Sequence, residues 1–396
     1  MSRLDVLVSG SGVSGALAAL GLARAGLQVG LVERQPPTLA VDAPANARVV
    51  ALAPASVNVL QRLDIWPLPR AAACAYTHMQ VEAGAQHLTF DAASIGTEAL
   101  GWITDLQVLQ QRCWAALAPA VRVIAPATIM AVDRGRDDVR VELDDGQRLR
   151  TRLLVLAEGA RSTLRDELGF DLRERDYHAQ GLVAQVRCAQ PNPGIAFQRF
   201  GVGGPLAMLP LADGRSSIVW TRPATEAAHW LASDEPALAA ALTQASGARF
   251  GEVLDVSART AFPLRMAIAE RFAIDRVVLL GDTAHVVHPL AGLGLNLGML
   301  DVAALVEVLT RAHAQGRDVG AAGSLSRYAA WREGDNRIAA GLIDVIERVF
   351  GSEPSAFRAL AERSVGVVDA LPMLKRFFSV QAAGWGGRVP ALAKPV

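Results

Sequence analysis

A short apolar run, Asp5–Ser9 (DVLVS), breaks into the glycine turn GSGVSG and continues as the Ala/Leu-rich stretch Val13–Ala25, which Gly26 closes. A second apolar run, Gln28–Val32, follows and ends on Glu33, 18 residues beyond Gly15. Strand, tight turn, helix and strand in that order predict a right-handed crossover between two parallel neighbours. The glycines have separable duties: Gly10 makes the turn, Gly12 lets backbone approach a pyrophosphate, and Gly15 lets helix pack on strand. An acid at position 33 suits the hydroxyls of a ribose and disfavours a 2′-phosphate. The same region, Arg3 followed by apolar Val13–Leu27, would suit a secretory signal, but Asp5 and the spaced glycines argue against that reading.

Two further strands end in the same manner. Leu153–Ala157 leads into Glu158-Gly159-Ala160-Arg161-Ser162-Thr163-Leu164-Arg165, and Val277–Leu280 leads into GDTAHVVHPLAGLGLNLG. Open α/β sheets place ligands at such strand ends. Asp282 can accept hydrogen bonds from a sugar-alcohol chain, and a glycine-lined helix start around Gly292 and Gly294 can present backbone N–H groups to an anion. Between these strands, Val139–Arg150 alternates around Asp-Asp-Gly as a hairpin does, while Gly181–Val186 and 197–220 read as short strands split by Gly/Pro turns. An antiparallel sheet inserted into an α/β frame is expected. Helical patterning runs from Ser324 to Phe350 and again to about Phe378, and the Gly/Pro/Ala-rich last dozen residues read as a frayed tail.

Composition excludes other classes. At 396 residues, the chain has room for two or three domains. Lys+Arg and Asp+Glu are both 39, so no net field steers it onto nucleic acid. Only Lys375 and Lys394 are lysines. Cys74, Cys113 and Cys188 are widely spaced and form neither a disulfide framework nor a zinc pattern, so a reducing compartment and no metal are expected. His285 and His288 lack a third ligand in pattern, and they read as residues packing near a ligand. Ser162 lacks the G-x-S-x-G frame of a hydrolase. No uninterrupted apolar run reaches spanning length. Trp102, Trp220 and Trp331 read as core, and Phe197, Phe200 and Phe262 as lining for a pocket.

The three glycine and acid elements, together with ARVVALAPASVNVLQRLDIW, LGWITDLQVLQQ, QRFGVGGPLAMLPL, SSIVW, FPLRM, YAAWREGDNR and LPMLKRFFSVQAAGWG, resemble one family over nearly the whole chain. They are similar to the fingerprint, DG and GD motifs of class A flavoprotein monooxygenases, the para-hydroxybenzoate hydroxylase group. They resemble more closely the ubiquinone-biosynthesis flavin hydroxylases. The implied fold is α/β (α+β), with a Rossmann-like FAD-binding domain at 1–72, 101–169 and 266–340. A substrate-binding sheet at 73–100 and 170–265 and C-terminal helices with a tail at 341–396 complete it.

The resemblance implies FAD held by Gly10, Gly12, Gly15, Glu33, Arg34, Arg48, Gln107, Glu158, Gly281, Asp282, Gly292, Gly294, Leu295 and Asn296. It implies catalytic placement for Arg48, Pro289, Leu295 and Asn296 around the flavin ring, the backbone N–H groups of Leu295 and Asn296 facing its N1/O2 edge. The implied reaction is hydroxylation of a phenol or quinone precursor with a polyprenyl tail, using NAD(P)H as a transient co-substrate and O2 through a flavin C4a-hydroperoxide. The implied location is the cytoplasm, at or near the inner face of the membrane, alone, as a homo-oligomer or in a biosynthetic complex. Three residues depart from the family pattern: Glu158 for Asp, Leu293 for Gln, and Asn46 for an acid. They leave open a flavin-binding subunit without turnover, or an FAD-dependent reductase or dehydrogenase.

Overall fold

The computed structural model describes residues 3–37, 48–288, 292–350, 365–366, 368–369 and 371–395. Its frame is a mixed sheet whose parallel strands run in the order Val277–Leu279, Arg148–Leu156, Leu4–Ser9, Val29–Val32 and Arg122–Ile124. The central strands are buried on both faces, as parallel strands covered by helices must be. The fingerprint glycines open the helix Val13–Arg24, which packs on the 22-residue helix Leu293–Ala314. Contact is close: a Cβ on Gly21 would lie 2.9 Å from Val306 Cγ2. Leu293–Ala314 is long and apolar enough to cross a membrane, yet Met299, Val302, Ala303, Ala304 and Leu305 are fully buried in the core.

The expected hairpin forms from Val139–Leu143 and Arg148–Leu156, and its second strand continues into the parallel sheet. The inserted sheet has nine strands among the described residues, ordered His285–Val286, Thr260–Ala269, Leu172–Cys188, Ser216–Pro223, Gly204–Pro210, Ile195–Gly201, His78–Ala83 and Gln86–Asp91, with Val253–Val256 beside Leu172–Cys188. The segment Gly181–Val186 is thus part of a 17-residue strand. One pair, Ile195–Gly201 with His78–Ala83, is parallel and stitches the early chain into the later sheet.

Three expectations change. Ala73–Tyr76 pairs with Gly101–Asp105 in a separate three-stranded sheet with Val49–Leu52, and so stands outside the inserted sheet. The helix Ala322–Phe350 runs unbroken across the boundary drawn at 340/341. The tail up to Pro395 is folded down rather than frayed. Asn58 Nδ2 and Trp385 Nε1 both donate to Ala393 O, Arg62 donates to Ala391 O, and Ala393 is fully buried.

Candidate active site

The ends of Leu4–Ser9, Val29–Val32 and Arg148–Leu156 stand side by side because those strands are direct neighbours. Gly10 has φ +98°, and a Cβ there would lie 2.4 Å from Ala157 O. A Cβ on Gly15 would lie 2.1 Å from Gly10 O, whereas one on Gly12 would meet nothing within 4 Å. Two glycines therefore close the turn on its neighbours, and the third leaves open space. Gly12 caps the helix Val13–Arg24 without a side-chain acceptor, and its first turn holds no acid. The free N–H groups and the positive end of the helix dipole suit a pyrophosphate. Glu33 Oε2 accepts from Ser11 N at 2.6 Å and Oε1 from Gln35 N at 2.7 Å, so the acid is fixed over the turn. Glu158 accepts from Ser9 Oγ at 2.5 Å and Ser162 Oγ at 2.6 Å, which ties the second strand end to the first.

The end of Val277–Leu279, beside Arg148–Leu156, completes the cradle. Asp282 lines the cavity and is exposed to it. Burial raises its carboxyl above the usual range, the His285 and Arg48 charges pull it down, and Asp301 adds to the rise. Thr283 Oγ1 accepts from Gly159 N at 2.8 Å, joining this turn to the second strand end. Gly292 sits at φ +60° as N-cap of Leu293–Ala314, again without a side-chain cap.

These groups line one cavity of about 680 Å³, with Gly10, Gly12, Gly15, Glu33, Arg34, Arg48, Glu158, Asp282, Gly292, Gly294 and Leu295 on its wall. A carboxylate for sugar hydroxyls, two uncapped helix starts and a glycine face that a Cβ would fill fit FAD. Its far wall is the inserted sheet, with Phe197, Val219 and Phe262 among the lining. Two expected residues stand elsewhere. Gln107 is exposed beside the cap made by Asp105, and Gln110, one helical turn on, lines the cavity instead. Gly281 lies behind the wall, where a Cβ would meet Ser14 Oγ at 2.9 Å.

The side chain of Asn296 is buried and used internally. Its Oδ1 accepts from Ala53 N and Ser56 Oγ, and its Nδ2 donates to Ala51 O and Gly292 O. It ties the start of the long helix to the Val49–Leu52 strand and does not reach the cavity. Phe200 packs on Phe350, with ring centroids 4.5 Å apart, in a separate cluster. Pro289 and Asn46 lie outside the described residues. Arg161 also lines the cavity, and sequence reasoning gave it no role.

Neither histidine meets a metal-ligand group among the described residues. His285 Nε2 lies 2.6 Å from Asp301 Oδ2, and Asp301 Oδ1 accepts from Arg332 Nε at 2.6 Å and Asn336 Nδ2 at 3.0 Å. His288 lines the cavity, meets the Tyr177 ring edge-on, and faces Glu347 across 3.6 Å. Burial pushes His288 down to about 4 and Glu347 up to about 7. A carboxyl raised on folding weakens the fold as pH climbs from its unfolded value through its folded one. Glu347→Gln should therefore match the parent near pH 4 and exceed it by on the order of 3 kcal/mol near pH 8, read from urea midpoints. His288 works in the opposite sense, costing stability as pH falls below about 6.5.

Residues 3–332 match the family described as FAD binding domain. The chain is 32% identical over 383 residues to the ubiquinone hydroxylase UbiL of Rhodospirillum rubrum, covering 96% of this chain and 89% of that protein. It is 31% identical over 377 residues to 3-demethoxyubiquinol 3-hydroxylase of Escherichia coli, covering 94% and 96% respectively. Among solved structures, p-nitrophenol 4-monooxygenase of Pseudomonas putida matches with a TM-score of 0.78 at 20% identity, over 98% of this chain and 100% of that one. At that identity the match speaks for the fold. The chain belongs to this FAD-binding family, in the branch that includes these two hydroxylases, and is an FAD-dependent monooxygenase.

Proposed function

We propose that this protein hydroxylates the aromatic ring of a phenol or quinone precursor of ubiquinone, with NAD(P)H and O2 as co-substrates. The observation that carries the reading is the two-ended cavity: polar and glycine-lined where three strands end, apolar where the inserted sheet covers it. FAD, when bound, supplies the electron and oxygen chemistry that no side chain here provides. Gly10, Gly12, Gly15 and Glu33 would hold its dinucleotide half, and Asp282 and Arg48 the ribityl and phosphate region. Gly294 and Leu295 bring the N-terminus of Leu293–Ala314 to the cavity wall, where a helix dipole stabilises negative charge gathering on a ring. The apolar sheet wall keeps water from the reacting centre. Glu158, one methylene longer than the family's aspartate, is held in place by Ser9 and Ser162. With a prenylated substrate, we infer a cytoplasmic protein that meets the inner face of the membrane holding it.

Turnover tests this directly. Purified protein should be yellow, and demethoxylated or otherwise unfinished quinol precursors should stimulate NAD(P)H consumption and gain one oxygen, read by mass spectrometry. Flavin reduction without oxygen insertion would favour a reductase, and yellow protein inert to NAD(P)H an idle subunit. Asp282→Ala should weaken FAD retention roughly tenfold to a hundredfold, since each hydrogen bond to a charged group is worth about 1.5–3 kcal/mol. Unchanged flavin occupancy after dialysis would refute that role for Asp282.

A further inference from the structure

Away from the active-site cavity, the helices Leu293–Ala314 and Ala322–Phe350 and the segment at Arg388 enclose a second groove of about 850 Å³. Arg311, Arg317, Arg327 and Arg388 line it, and all four are exposed. The acids at its edge are committed. Glu307 accepts from Ala391 N and Arg388, and Asp335 pairs with the buried Arg332. Among the described residues, Arg311, Arg317 and Arg327 have no carboxylate partner, so a chain of zero net charge carries a local cationic surface here.

The groove continues into an apolar stripe. Ile338 lines the groove and is 74% exposed, and Leu342 and Val345 are 48% and 56% exposed. Positions 338, 342 and 345 follow the i, i+4, i+7 spacing of one helix face, and at 100° per residue Arg327 falls on the same side. Alternate residues of this helix are core: Ile343 is 2% exposed and Ala340 3%. The aliphatic residues are therefore a second face, left over after packing is satisfied.

We propose that this face, arginine groove and aliphatic stripe together, rests on an anionic phospholipid bilayer. Arginines pair with lipid phosphates while leucine, isoleucine and valine enter the headgroup–acyl boundary, the composition by which interfacial helices bind. Charge argues against a second copy, because a twofold contact would press one cationic groove against another. The surface rests on its own geometry, whichever ring the active site oxidises.

Co-sedimentation of the FAD-loaded protein with phosphatidylglycerol vesicles tests it, with phosphatidylcholine vesicles and soluble poly-glutamate as comparators. Binding to the anionic vesicles should fall with added salt. The pair Arg311→Glu with Arg327→Glu should lower partitioning at least about twentyfold, from about fivefold per arginine near the surface. The triple variant Ile338→Ser, Leu342→Ser, Val345→Ser should lower it more than about tenfold. Both variants should keep the parent's circular dichroism and yellow colour. Failure of the parent to sediment, equal binding to phosphatidylcholine, or binding indifferent to both variants overturns the proposal. So does preference for poly-glutamate, or a dimer that either variant dissolves. Colourless protein that still binds vesicles would count against the flavin assignment alone.

Discussion

Asp301→Ala is expected to cost about 3–5 kcal/mol of folding stability, because it removes one partner from a fully buried ionic network and leaves the other charged. The carboxylate is wholly buried, as is nearly all of Arg332, and it is shared by His285, Arg332 and Asn336. Burial alone would raise its pKa, but the charges of His285 and Arg332 and their hydrogen bonds hold it below the usual carboxylate range. Its stabilisation is thus present at neutral pH and lost as acid drives it through that lowered value. Without the carboxylate, Arg332 keeps, among the described residues, only half-exposed Asp335 as an acidic partner. Equilibrium urea unfolding should show the full loss in Asp301→Ala and a much smaller one in the double variant with Arg332→Met, since an apolar pair removes the stranded charge. Equal losses in the single and double variants would mean that the network contributes packing rather than charge pairing. The network also joins the Asp282 turn to the long helix, so FAD retention should fall with stability.

How much of this was legible in the sequence depends on which interaction each residue serves. Gly10, Gly15 and Glu33 were readable because a backbone turn admits only glycine and a strand end sets the reach of an acid. Asp301 was not, because its partners lie 31 and 35 residues along the chain and meet it only once two helices pack. The resemblance gives Asn296 a role through its backbone N–H; the structure shows a second role for its side chain, an amide with four internal partners, that spacing alone does not announce. Gln107 and Gln110 differ by one helical turn, and only the packed orientation of their helix decides which one faces the cavity.

The inserted sheet was readable as strands but not in its pairing. Ala73–Tyr76 and His78–Ala83 are separated by one residue yet join different sheets. Their registers are set by partners far along the chain, at Gly101–Asp105 and Ile195–Gly201. The tail misled for another reason. Its Gly, Pro and Ala content suggests fraying, but Trp385 donates to Ala393 O, and the carbonyls of Ala391, Ala393 and Pro395 accept from Arg62 and Asn58, whose helix gives no local hint of that task.

A glycine pair offers the sharpest test of the cradle. Gly15→Ala should disrupt the fingerprint turn itself: its Cβ would stand 2.1 Å from Gly10 O and 3.0 Å from Ala157 Cβ, and the first of these is backbone that cannot turn aside. Families that tolerate alanine at the third fingerprint position need more room than this turn has. Separating helix from strand there should cost about 3 kcal/mol, at the upper end for overpacking, and FAD binding with it. Gly12→Ala should behave oppositely. Its Cβ meets nothing, φ is −54°, and stability should stay within about 0.5 kcal/mol of the parent. That empty space is where the pyrophosphate would approach, so FAD affinity should fall although the fold does not. Thermal unfolding of the apoprotein, with FAD titration of each variant, separates the two effects. If Gly12→Ala takes up FAD as tightly as the parent, the pyrophosphate does not lie against that glycine, and the proposed seating of the cofactor fails at its most constrained point.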